Sequence, residues 1–224
     1  MKKAREQQPS LIGYGENNWL LRWQDEASFR LDARRLLDAL AIFPPTHLLE
    51  FVPGFQTLLL IHSQPVSEKY IRDWLKKALN HNPSTSSDPQ THVISVDYSG
   101  EDLEALAREK GLSTQEIIRL HAETSYTVLL LGFSPGFPYL GPLSNILHTP
   151  RKDSPRKRIR PGSVAIGGPH TGIYTVESPG GWHIIGHTQE RLFFPEKMEA
   201  NDLSTNEIFR LNPGDLVKFE AVSS

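Results

Sequence analysis

The 224-residue sequence has no cysteine, only two methionines and no long apolar run. Without cysteine there is no disulfide framework, no thiol nucleophile and no Cys-based zinc or iron–sulfur site. No apolar stretch approaches the roughly 18–20 residues that span a bilayer, so no membrane segment is expected. The opening MKKAREQQPS is basic but has no hydrophobic core behind it, which argues against a secretory signal and for a cytoplasmic protein. An excess of one charge is missing too. The 24 basic and 26 acidic residues nearly cancel at −2, whereas a nucleic-acid binder is usually strongly basic. Neither a P-loop nor a strand-linked dinucleotide fingerprint occurs, and no serine-hydrolase elbow is expected.

What is there divides by texture. Leu11 to Trp23 reads as a strand or hairpin, and Ser28 as the N-cap of a helix that Pro44–Pro45 ends. His47–Val52 and Gln56–His62 read as strands, and Pro65–Asn80 as an amphipathic helix. Residues 1–85 are therefore expected to form a small α/β sandwich domain. His81 to Gln90, with two prolines and three serines, reads as a linker. Beyond it come a strand over Thr91–Tyr98 and a helix over Glu101–Lys110 closed by Gly111. A capping box at Ser113-Thr-Gln-Glu116 then opens a short helix. From Thr127 onward short strands punctuated by Gly and Pro follow, at Val128–Phe133, Val164–Ile166, Gly172–Val176, Trp182–Ile185, Leu192–Phe194 and Leu216–Glu220. They predict a β-barrel or sandwich over 91–224, so the fold class is α+β.

Four segments carry chemical information. Gly132 to Pro142 packs three glycines, three prolines and three aromatics into a stiff loop that either lines a pocket or plugs a barrel corner. Its candidates are Phe133, Pro135, Gly136, Phe137, Pro138 and Tyr139. Arg151 to Arg160 holds six basic residues and one acid, either a solvated basic loop or an anion clamp with Arg151 and Arg156 as its forks. Gly162–Gly172 and Ser178–Gly186 are glycine clusters tied to short strands, whose backbone N–H groups could help form an anion nest. Among the histidines, His121 and His187 are candidate proton carriers, and no ligand spacing points to a metal.

Five ordered stretches of this region resemble a known family in order and spacing. They are Gly132-Phe-Ser-Pro-Gly-Phe-Pro-Tyr-Leu-Gly141, Thr149-Pro-Arg151 with Pro155-Arg156, Pro161-Gly-Ser-Val-Ala-Ile-Gly-Gly168, Thr171-Gly-Ile-Tyr174 and Ser178-Pro-Gly-Gly-Trp182. Together they resemble the 5-oxoprolinase B subunit family, which also covers Kip-type histidine kinase inhibitors and proteins labelled allophanate hydrolase subunit 1. The likeness spans about positions 91 to 220, with a weaker echo at Val52-Pro-Gly-Phe55 and Gln56–Leu60. The chain departs from the family pattern in the shorter Tyr98-Ser-Gly-Glu-Asp-Leu103, at His170 and at Thr175.

The resemblance implies a cyclophilin-like β-barrel for the second domain. It also implies an enzyme component, inactive alone, that works with a carboxyltransferase-like C subunit and with an A subunit of 5-oxoprolinase. The family reaction opens the 5-oxoproline lactam to L-glutamate with hydrolysis of ATP, with Mg as its companion ion. Substrate- or ATP-contacting positions would then include Gly167, Gly168, Thr171, Gly172, Tyr174, Ser178, Gly180, Gly181 and Trp182 beside the loop residues and arginines named above. The alternative is a Kip-type inhibitor that docks on a sensor histidine kinase. Prolyl isomerisation follows only from the fold analogy.

Overall fold

A computed structural model describes residues 8–81, 89–199 and 208–222. It divides into two compact units, Met1–Asp88 and Pro89–Ser224. Most of the expected linker, residues 82–88, lies outside the described residues.

In the first unit β1 (Ser10–Tyr14) and β2 (Asn18–Arg22) form a hairpin, followed by α1 (Glu26–Ile42), β3 (Leu48–Pro53), β4 (Thr57–His62) and α2 (Glu68–Asn80). The sheet is antiparallel in the order β1-β2-β4-β3. Both helices press on one face. Leu21, Leu58 and Leu60 meet Phe29, Leu36 and Ala39 of α1 and Ile71, Trp74 and Leu75 of α2. Helix α1 starts at Asp25 rather than Ser28. The Asp25 carboxylate accepts the Ser28 N–H at 2.7 Å, so Ser28 is the donor three residues inside the cap.

The second unit contains β5 (Thr91–Val96), α3 (Leu103–Lys110), α4 (Thr114–Ala122), β6 (Ser125–Leu131), β7 (Pro138–Gly141) and β8 (Arg156–Ile159). It continues with β9 (Ser163–Gly167), β10 (His170–Ile173), β11 (Ser178–Gly180), β12 (His183–His187) and β13 (Leu216–Ala221). Seven strands form one sheet in the order β12-β9-β10-β7-β6-β13-β5, and β8 pairs with β11 in a separate ribbon. The sheet curls until its two ends meet. Asp97, just past β5, and His187 on β12 exchange backbone hydrogen bonds at 2.8 Å in each direction. The Asp102 N–H adds another to the Ile184 carbonyl at 2.9 Å. Inside lie Ile94, Val128, Leu140, Val164, Ile166, Val217 and Phe219, capped by Leu106 of α3 and Ile117 of α4.

Gly111 ends α3 at φ +65°, and the reciprocal Ser113–Glu116 box opens α4 as the sequence predicts. Two stretches expected as loops are strands, β7 and β8. Each has only four residues, one opens on proline and the other is mostly charged, so neither alternates visibly. Leu192–Phe194, expected as a strand, is irregular and makes one bridge, Phe193 to Phe209. Among the described residues no helix is long and apolar enough to cross a membrane.

Candidate functional site

Strands β7, β9, β10 and β12 bring the aromatic and glycine segments together. Phe137, almost fully buried, is the centre of a herringbone of rings. Its centroid lies 5.0 Å from Tyr139, 5.1 Å from Tyr174, 5.5 Å from Trp182 and 5.5 Å from Phe133, all edge-to-face. The glycines are what let these rings approach the backbone. A Cβ on Gly167 would sit 2.5 Å from the Trp182 ring, one on Gly172 would sit 2.8 Å from Phe137, and one on Gly180 would land on the Tyr174 hydroxyl. These three positions leave no room for a side chain beside the rings. Gly168 turns β9 into β10 at φ +59°, Gly136 turns the loop into β7 at φ +71°, and Gly181 accepts the Lys152 N–H at its carbonyl. Ser178 is half-buried and pairs with Ile159 across the ribbon.

Phe133 stands out of this ring cluster, 61% exposed and with φ +68°. Its loop, Gly132-Phe-Ser-Pro-Gly136, spells Gly-x-Ser-x-Gly, contrary to the expectation that no such elbow occurs. It nevertheless joins strand to strand, not strand to helix, and among the described residues the buried Ser134 hydroxyl has no hydrogen-bond partner to activate it. The carbonyl of Pro135 accepts the Thr175 hydroxyl at 2.6 Å, which pins the loop to the end of β10.

The basic segment is organised by a residue that sequence reasoning overlooked. Asp102 stands at the N-cap position of α3 but does not cap it. Instead its buried carboxylate takes both Nη groups of Arg156 at 2.8 Å, Lys152 Nζ at 2.8 Å and the Ile184 N–H at 2.8 Å. Burial alone would raise the Asp102 pKa; the Arg156 fork, Lys152 and the Ile184 N–H outweigh it and hold the group at about 2. Arg156, expected as an anion fork, therefore has its fork occupied by a carboxylate of its own chain. No local signal marks Asp102, because each of these partners lies 50 or more residues away.

Arg151 is exposed at the rim of the ring cluster. Burial raises the pKa of Tyr139 and pushes Tyr174 up to about 12, and the Arg151 cation opposes both shifts, so it acts electrostatically on the two phenols. Phe137, Tyr174 and Trp182 are buried with Ile159 and Ile184 in a small core cluster, so these rings plug the corner. Only exposed Phe133, half-buried Tyr139 and Arg151 present a surface that a ligand could meet.

The two candidate proton carriers separate clearly. His121 is fully buried, with Nδ1 2.7 Å from the Tyr98 hydroxyl and Nε2 2.8 Å from the Thr171 hydroxyl. Thr171 gives its only proton to the Ala165 carbonyl at 3.0 Å, so His121 must donate from Nε2 and accept at Nδ1. Desolvation drives its pKa down to about 3. His121 and Thr171 accordingly lock α4 to β9 and β10, and neither reaches a surface. His187 is 9% exposed, receives the Arg160 Nε–H on Nδ1 at 3.2 Å and faces Glu101 with Nε2 at 3.7 Å. Burial and the Arg160 cation lower its pKa. Tyr174 also borders a cleft of about 340 Å3 lined by Pro161, Gly162, Thr175, Thr188, Gln189 and Arg191, of which the last three lie outside the motif reading. Among the described residues no three His, Asp or Glu side chains group closely enough to hold a metal ion.

Residues 10–203 match a family model described as the carboxyltransferase domain, subdomain C and D. The crystal structure of TTHA0988 is 33% identical with a TM-score of 0.76, over 93% of this chain and 40% of that one. Kluyveromyces lactis urea carboxylase, at 17% identity and a TM-score of 0.71 over 96% of this chain and 22% of its own, shares the fold. The class is thus a carboxyltransferase-type C/D domain. The 5-oxoprolinase B subunit of Escherichia coli O157:H7 is 37% identical over 198 residues, covering 84% of this chain and 81% of that protein. The Bacillus subtilis (strain 168) protein of the same name is 44% identical over 133 residues, covering 58% and 52%. The chain belongs to the 5-oxoprolinase B subunit family. It spans only 40% of TTHA0988 and about half of the Bacillus subtilis protein.

Proposed function

We propose that the chain is the B subunit of a cytoplasmic, ATP-dependent 5-oxoprolinase that acts with a carboxyltransferase-like C subunit and an A subunit. The reaction is hydrolysis of the 5-oxoproline lactam to L-glutamate. The observation that carries this reading is the 37% identity to a 5-oxoprolinase B subunit along most of both chains. The second unit is read as a cyclophilin-like barrel, in keeping with its curled sheet and the bridge between its two ends.

Lactam opening is uphill alone, so ATP, with Mg, is the driving co-substrate. A phosphoryl group on the lactam oxygen would make the ring carbon a better target for water. Exposed Phe133 and half-buried Tyr139 offer apolar contact to the ring, and Arg151 suits its carboxylate or the phosphoryl charge. His187, neutral at pH 7 and with its proton on Nε2, is the better placed of the two histidines to hand over a proton.

The test is ATP-dependent glutamate release from 5-oxoproline by the chain mixed with the A and C subunits. Arg151→Ala is expected to lower turnover at least tenfold with thermal stability unchanged; full turnover in this variant removes Arg151 from the site. The exposed Phe133 also favours a second reading, as an anchor in a histidine kinase complex, since aromatic residues dominate interface hot spots. Loss of kinase inhibition in Phe133→Ala with oxoprolinase turnover intact would support that reading instead.

A further inference from the structure

Between Lys152 and β8 the chain has little to hold it. Asp153, Ser154 and Pro155 are exposed and, among the described residues, make no backbone hydrogen bond. The stretch before them is tied to its neighbours. Thr149 bridges to Gly168, the Pro150 carbonyl lies 3.0 Å from His183 Nε2, and the Lys152 N–H reaches the Gly181 carbonyl at 2.7 Å. Gly181 lets the chain lie close: a Cβ there would stand 3.4 Å from the Lys152 carbonyl oxygen and 3.6 Å from the Arg151 Cβ.

Both ends of the untied stretch return to one carboxylate. Asp102, 4% exposed, takes Lys152 Nζ from one end and the Arg156 fork from the other, all at 2.8 Å. Its remaining partner, the Ile184 N–H of β12, fixes the acid itself to the closed sheet. Stability alone does not explain this choice of groups. A buried ion cluster is often no more stabilising than apolar side chains of the same volume, because desolvation offsets the attraction. Its distinguishing property is direction: charge-assisted hydrogen bonds hold both cations in one geometry.

We propose that Asp102 is a positioning residue for Arg151: by clasping Lys152 and Arg156 it closes the loop 152–156 and fixes the backbone from which the Arg151 side chain springs. The inference rests on the reading above, in which Arg151 meets the carboxylate of 5-oxoproline. Asp102 touches no substrate itself. It acts through Lys152, one residue from the cation that it places. With the clasp open, residues 152–156 lose both side-chain anchors, and Arg151 must be ordered anew at each binding event. A shift of about 1 Å at a group that holds substrate can cost on the order of 100-fold.

The experiment uses the full chain mixed with the A and C subunits and reads KM for 5-oxoproline and for ATP separately. Arg151→Ala is expected to raise KM for 5-oxoproline about tenfold. Asp102→Asn, which keeps an oxygen for the Ile184 N–H, should raise it about fivefold, and Lys152→Met, which leaves the Arg156 fork in place, about threefold. KM for ATP should stay within about twofold in all three, and Lys152→Arg should behave as the wild type. Neither Asp102→Asn nor Lys152→Met should add to the loss in an Arg151→Ala background. A clamp that only stabilised the fold would lower the amount of active protein and leave both KM values alone. Absence of turnover with the wild type, or a wild-type KM for 5-oxoproline in Arg151→Ala, sinks the reading above and this proposal with it. A raised KM in Arg151→Ala with a wild-type value in Lys152→Met overturns the positioning role alone, and so do losses that add fully in the double variants. If Asp102→Asn does not fold, Lys152→Met decides.

Discussion

In the seven-stranded sheet, β9 is buried at all five positions and the ends of the sheet bond to each other at Asp97 and His187. In the four-stranded sheet the helices cover one face, both edge strands stay open, and Leu49, Val52 and Ile12 reach solvent. The first arrangement hides apolar residues within one chain and leaves chemistry at its rim. The second leaves apolar residues at the surface, where they add little to the stability of their own sheet. Substitutions in the two sheets should therefore have opposite signatures.

The largest effect is expected at Asp102. Asp102→Ala leaves Arg156 and Lys152 unpaired and frees the Ile184 N–H, which should cost about 3–5 kcal/mol. Urea unfolding followed by tryptophan fluorescence measures it; a cost under about 1 kcal/mol would show that the clamp is dispensable to the closed sheet.

Acid is the next probe. A histidine whose folded pKa lies below its unfolded value leaves full stability above the unfolded pKa and withdraws it as pH falls. For His121, at about 3 against 6.5 unfolded, the loss sets in below pH 6.5 and grows as pH falls toward 3. Asp102 adds the same direction of change from below about pH 4 downward to 2. His121→Gln should flatten the slope between pH 6.5 and 4 in a denaturation series, and an unchanged slope would place the titration elsewhere.

Gly180→Ala should cost about 1–3 kcal/mol by pushing Tyr174 off the ring cluster, visible as a change in near-ultraviolet circular dichroism. The smallest effect is expected outside: Val52→Thr should shift the stability of the isolated chain by no more than about 0.5 kcal/mol. A larger loss would mean that the two sheets do not differ as argued.

Much of this was legible in the sequence wherever the signal is local. The capping box at Ser113, the stop at Gly111 and the stripe of α2 all depend on residues within one or two turns. The aromatic loop was legible as special, but not as part of a ring cluster, because Gly167 meets Trp182 and Gly172 meets Phe137 only after the strands pair. The arginine run was misleading for the same reason. Six basic residues within ten positions advertise an anion clamp, yet the acid that claims Arg156 is Asp102, far away in sequence. His121 showed equally little, since its partners Tyr98 and Thr171 come from elements on either side of it.

One feature of the closed sheet bears on how the chain is made. Strand β13 lies between β6 and β5, and it pairs with β5 in parallel. Its six residues, Leu216–Ala221, are made after those of every other described strand, so until then β5 and β6 lack the neighbour that joins them. At about 5–20 residues per second that wait lasts on the order of ten seconds. A nascent chain in that interval carries two exposed strand edges and a half-built core, which makes it a natural client for a holding chaperone.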